Sequence, residues 1–102
     1  MISLIDSLFN FDTSEQPVIL DQKNKVIIAI YATGLNKKDI KVELHPLEGI
    51  DMMVVKGTTK NKVLQKEFSI EELFLLDKNI FALDSIKLYY QGGIIYIVIN
   101  KK

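Results

Sequence analysis

Lys25-Val-Ile-Ile-Ala-Ile-Tyr-Ala-Thr-Gly-Leu-Asn-Lys-Lys-Asp-Ile-Lys-Val-Glu-Leu44 decides the fold. Two β-type runs flank a short polar connection, Thr33 to Lys38. In the second run Ile40, Val42 and Leu44 alternate with Lys41, Glu43 and His45, the pattern of a strand wet on one side. The first run is apolar on both faces, with Val26, Ile28, Ile30 and Ala32 on one and Ile27, Ala29 and Tyr31 on the other. Such a strand is expected between a core and a second covering layer. Gly34 is free to take a positive φ in the connection, and Asn36 and Asp39 offer acceptors for its backbone N–H groups.

Working outward, Pro17 followed by Val18, Ile19 and Leu20 reads as a short edge strand, and Asp21 to Lys25 as a turn. Upstream, Ile2, Ile5, Leu8 and Phe9 recur at helical spacing, which reads as a short amphipathic helix from Met1 to Phe11, too short to hold itself in water without docking. The chain therefore divides into an amino-terminal arm, residues 1–16, and one domain, residues 17–102. Downstream, Asp51 to Gly57 reads as a strand, Thr58 to Lys62 as a polar tip and Val63 to Ile70 as the returning strand. In that hairpin Leu64, Phe68 and Ile70 are expected inward, Val63, Gln65 and Glu67 outward, and Lys66 near an edge. Ser69-Ile-Glu-Glu72 has the form of a capping box and predicts one or two helical turns through Leu76. Ile86, Leu88 and Tyr90 alternate with Lys87 and Tyr89, Gln91-Gly-Gly93 turns the chain, and Ile94 to Lys101 is a last strand apolar on both faces. Seven or eight short strands with little helix call for an all-β antiparallel sandwich of immunoglobulin-like type.

Composition narrows the function. The 102 residues are 48% hydrophobic, with 13 basic side chains, all lysine, balancing 13 acidic ones. A balanced charge supplies little attraction for nucleic acid, so Tyr89, Tyr90 and Tyr96 beside Lys87 and Lys101 read as strand residues before they read as a stacking platform. No apolar run approaches the roughly 20 residues of a spanning helix, so no membrane partner is expected. Cysteine is absent, which removes disulfides and thiolate metal sites and fits an intracellular or virion setting, and no signal peptide is evident. His45 is the only histidine; with just Glu48 and Asp51 near it, no metal site or general base is expected. Ser69 has a capping reading, and no serine lies in a nucleophile motif. Neither catalysis nor a cofactor is expected.

Three segments together resemble the small heat-shock proteins, whose shared unit is the α-crystallin domain. Gly34-Leu-Asn-Lys-Lys-Asp-Ile-Lys-Val-Glu-Leu44 is similar to that family's Pro-Gly-Phe-x-Lys-Glu-Asp-Ile-x-Val-x-Leu stretch. Gln65-Lys-Glu-Phe-Ser-Ile-Glu-Glu72 is similar to its Arg-x-Phe-x-Leu-Pro-Glu segment, and Gln91-Gly-Gly-Ile-Ile-Tyr-Ile-Val-Ile-Asn-Lys101 to its Asn-Gly-Val-Leu-x-Ile-x-Ile-Pro-Lys ending. The resemblance implies an ATP-independent holdase that binds exposed apolar segments of protein clients in the cytoplasm. It also implies a groove lined by Val42, Leu44, Ile86 and Leu88, and a homodimer or larger assembly paired through the edge at Val63, Gln65, Lys66 and Phe68. Ile2, Ile5, Leu8 and Phe9 of the arm are the expected contacts to that groove or to a neighbour. Lys66 stands where the family has arginine, the Lys56 to Lys66 connection is too short for a swapped loop, and the sequence ends without the family's Ile-x-Ile tail. These departures leave room for another role, a structural or assembly subunit with one fixed partner, for example in a virus particle.

Overall fold

The computed structural model describes residues 17–102, so the arm and its Ile2, Ile5, Leu8 and Phe9 lie outside the described residues. Seven strands follow in order: β1 (Val18–Asp21), β2 (Lys25–Tyr31), β3 (Ile40–Pro46), β4 (Ile50–Asn61), β5 (Lys66–Asp77), β6 (Lys87–Gln91) and β7 (Ile94–Asn100). They form two antiparallel sheets, β1-β2-β7-β6 and β3-β4-β5. The all-β sandwich expected from the strand count is the fold observed.

Alternation fixes what lies between the sheets. Val26, Ile28 and Ile30 of β2 meet Ile99, Ile97 and Ile95 across the β2–β7 ladder, and all six are buried. Met53 and Val55 of β4 and Phe74 and Leu76 of β5 close the core from the smaller sheet. Fully burying side chains of this size is worth about 1.5–3 kcal/mol each before chain entropy is counted, so these rows carry most of the folding free energy. Where β2 leaves the sheet, Gly34 adopts φ 87°, and a Cβ built there would stand 2.9 Å from the Phe68 ring. Only glycine fits that backbone and that space. Beyond it the Asn36 N–H donates to Asp39 Oδ2 at 3.0 Å, closing the short 3-10 turn Lys37–Asp39 that leads into β3.

Three expectations are corrected. First, the hairpin tip is not Thr58 to Lys62: β4 and β5 run for twelve residues each, and the turn falls at Lys62 to Gln65. Thr58 and Thr59 are polar but β-branched and stay in the ladder, whereas Asn61 Oδ1 accepts the Leu64 N–H at 2.9 Å and Gln65 takes φ 53° to reverse the chain. Val63 and Gln65 are therefore turn residues, and Leu64 is exposed rather than inward. Second, no helix forms at Ser69. Ser69 and Glu72 sit within β5, because Phe68, Ile70, Phe74 and Leu76 repeat at the two-residue period and pair with β4 along its whole length. Third, Ile86 precedes β6 instead of starting it, after the 3-10 turn Leu83–Ser85.

Both sheets carry apolar residues on their outer faces: on the smaller one Met52 pairs with Leu75, and Val54, only 9% exposed, pairs with Leu73. Toward the β4–β5 turn the smaller sheet presents Lys41, Lys56, Glu67 and Glu71 around a shallow depression of about 560 Å³. The larger sheet instead presents Leu20, Ile27 and Val98 in one cross-strand row and Val18, Ala29, Tyr96 and Tyr89 in the next. The second layer expected over β2 is not found among the described residues: no described strand or helix is stacked on this face.

Candidate functional site

A four-stranded sheet on a three-stranded one leaves edges that do not match. On one flank β1 overhangs: Ile19 pairs with Ile28 and shares its inward face, yet is 53% exposed because no strand of the smaller sheet lies beneath it. Ile19, Val26, Ile28, Phe74, Leu76 and Phe81 line an open cleft of about 310 Å³ there. Its seventh lining residue, Leu75, is on the outward side of β5, beside Met52. The cleft was not legible in the sequence. Phe81 reaches it because Asp77 turns the chain: its carbonyl accepts the N–H groups of Ile80 and Phe81 at 3.0 Å, and its Oδ1 accepts the Asn79 N–H at 2.8 Å. The strand period of Phe74 and Leu76 was the available signal, masked by the capping-box pattern at Ser69.

Since β5 lies beside β1 and β2 on that flank, the edges β3 and β6 share the opposite one. The Tyr90 hydroxyl ties them by donating to the Leu35 carbonyl in the connection entering β3. Here lie the four residues named for a groove. Val42, Ile86 and Leu88 are half-buried and packed on the core cluster, while Leu44 is 39% exposed. Beside them, on the outer side of β3, Glu43 Oε1 lies 3.4 Å from Lys56 Nζ and 3.3 Å from His45 Nε2. The hydrogen bond and charge of Lys56 hold the Glu43 carboxyl below its usual range. Among the described residues no group of three or more His, Cys, Asp or Glu is arranged to hold a metal ion. Asp51, named in the sequence beside His45, is buried in β4 with Lys78 Nζ 3.3 Å away.

The residues named for a dimer edge are divided. Lys66 and Phe68 open β5, which is an edge strand among the described residues, but Val63, 91% exposed, and Gln65 are in the turn. The aromatic platform is divided too: Tyr89 and Tyr96 pair on the outer face, and the pleat turns Tyr90 to the inside.

The overall fold recurs in solved structures. A small heat-shock protein from Xylella fastidiosa superposes with a TM-score of 0.67 at 21% identity, covering 85% of this chain and 84% of that one. HSP18.5 from E. histolytica gives 0.63 at 19% identity, over 83% of this chain and 85% of its own. Heat shock protein 16.0 from Schizosaccharomyces pombe gives 0.61 at 16%, over 83% and 86%. The fold is that of the small heat-shock proteins. No protein-family model matches the sequence, and no curated protein matches it. At these identities the likeness is one of α-crystallin architecture, with the side chains of the flanks set by this sequence alone. No helix among the described residues is long and apolar enough to cross a membrane.

Proposed function

We propose that this chain is a protein-binding module that works as an ATP-independent holdase, taking extended apolar segments of partly unfolded proteins onto the flanks of its sandwich. The carrying observation is the open apolar cleft at the β1–β5 flank, bordered by two strands that are sheet edges among the described residues. An extended segment placed there finds backbone partners along an edge and a trough for alternate side chains. Leu44 and its half-buried neighbours Val42, Ile86 and Leu88 offer a second such seat at the β3–β6 flank. That the solved structures sharing this architecture are named heat-shock and stress-induced proteins supports the reading. Self-association in this reading uses the unpaired edge of β5, where a second copy adds its own β5.

Light scattering from an unrelated protein heated with the chain is the test. The wild type should suppress scattering, and Ile19→Asp and Leu44→Asp, both at exposed positions that tolerate charge, should weaken suppression while circular dichroism stays unchanged. Undiminished scattering with folded wild type present sinks the holdase reading. Recovery of a single partner in fixed ratio from the native source would replace it with an assembly role. If the Ile19 variant alone retains full suppression, the cleft is not the seat and the β3–β6 flank is.

A further inference from the structure

We infer that the outer face of the β1-β2-β7-β6 sheet is a docking surface for the chain's own amino-terminal segment, which lays Ile2, Ile5, Leu8 and Phe9 across it. This goes beyond the holdase reading and uses neither flank. An antiparallel sheet normally keeps one face for water. Here the two central outward rows are apolar or aromatic from β1 to β7, Tyr31 and Ile94 continue the face at one end, and Lys25, Asn100, Lys87 and Gln91 are the polar residues on its other margins. A contiguous apolar patch that is polar along only part of its margin is the anatomy of a covered surface.

Length, position and charge select the occupant. The segment joins the domain at Pro17, and the next residues, Val18 and Leu20, are themselves on this face, so the segment starts from its edge. Eleven residues at 1.5 Å per residue make a helix of about 16 Å, and four strands spaced near 4.8 Å span about 14 Å. The polar stretch Asp12 to Gln16 supplies up to about 17 Å of reach, enough to place that helix anywhere across the sheet. Residues 1–16 carry Asp6, Asp12 and Glu15 and no lysine, which complements Lys25 and Lys87 at the rim. An amphipathic segment too short to fold alone and a sheet face too apolar to be wet each supply what the other lacks.

The chain has no cysteine, so engineered pairs report proximity directly. In the full chain, Leu8→Cys combined with Ala29→Cys, at the middle of the face, should oxidise to an intramolecular disulfide roughly tenfold faster than Leu8→Cys with Leu44→Cys on the β3–β6 flank, because docking raises the local thiol concentration. Circular dichroism confirms that each variant is folded. Leu8→Cys with Tyr96→Cys, the cross-strand neighbour, repeats the measurement should Ala29 not accept sulfur. Equal rates at the two positions, or a faster link to Leu44, overturn the proposal. So do covalent dimers formed in place of the internal link, which would show that a second copy covers the face.

Discussion

Ile97→Ala is the most exacting test of the packing. Ile97 is 0% exposed at the centre of β7, with Ile28 beside it in one ladder and Leu88 in the other. Alanine removes three carbons, about 2.4 kcal/mol of transfer free energy at about 0.8 kcal/mol per methylene. Strands on both sides hold the ladder in place, so the void cannot collapse fully, and the cavity raises the loss to about 3–5 kcal/mol. A domain of this length holds roughly 4–13 kcal/mol in total. The variant should thus lose a large part of its stability and melt about 12–40 °C lower. Urea titration followed by circular dichroism measures this, with Val63→Ala, at a turn position 91% exposed, as a control expected to move little. If Ile97→Ala stays within about 0.5 kcal/mol of the wild type at unchanged urea dependence, the inward face of β7 has been misassigned and the core argument fails.

Two further outcomes follow from particular contacts. A Cβ at Gly57 would stand 2.9 Å from the Asp39 carbonyl oxygen and 3.3 Å from Ile40 Cγ1, so Gly57→Ala should cost about 1–3 kcal/mol in the same titration; an unchanged midpoint would show that β3 and β4 are less closely apposed than described. Backbone N–H groups alternate in direction along β5, so of Ser69→Pro and Ile70→Pro one removes an outward donor and the other a ladder bond. Sedimentation should show the former folded and without the self-association of the wild type; equal masses for wild type and both prolines would exclude β5-edge pairing.

How much of this could be read in the sequence depended on how local the cause was. β2, β3 and β7 declare themselves by alternation, and the Gly34 turn by a glycine and an aspartate a few residues apart, so their assignment survives almost unchanged. At Ser69 a local signal misled. A Ser-x-x-Glu capping box contributes about 1 kcal/mol to a helix end, far less than two rows of inward apolar side chains gain across a twelve-residue ladder. The tip was misplaced because Thr58 and Thr59 are polar, and in an exposed hairpin arm polarity does not separate strand from turn. The groove residues Val42, Ile86 and Leu88 were recognised as inward-facing, but how far the core covers them depends on contacts between distant segments. The β1–β5 cleft needed three such segments to meet, and no spacing within any one of them records that.

Unequal sheet width is the common source of the surfaces described. Had both sheets four strands, Ile19 would be covered from below as Ile28 is, and the β1–β5 flank would close. With three below, the chain must leave an inward-facing row over open space, and it does so with apolar side chains from Ile19 to Phe81 rather than with the charge that usually blunts a free edge. The overhanging strand is also the one that carries the chain out of the domain at Pro17, with Val18 and Leu20 turned to the opposite, outer face. β1 therefore shows half-exposed apolar side chains on both sides, Val18 and Leu20 on one and Ile19 on the other, with Asp21 at its end paired to Lys101, an arrangement that costs free energy in water. In the two readings proposed above its faces take different occupants: the tethered amino-terminal segment on the outside, and an apolar segment from another protein in the cleft. A tethered occupant competes for its own face at high local concentration, and an untethered one binds only when clients are exposed. Under those two proposals the outer face is kept from clients while the cleft stays open to them, so reversible binding is expected at the cleft.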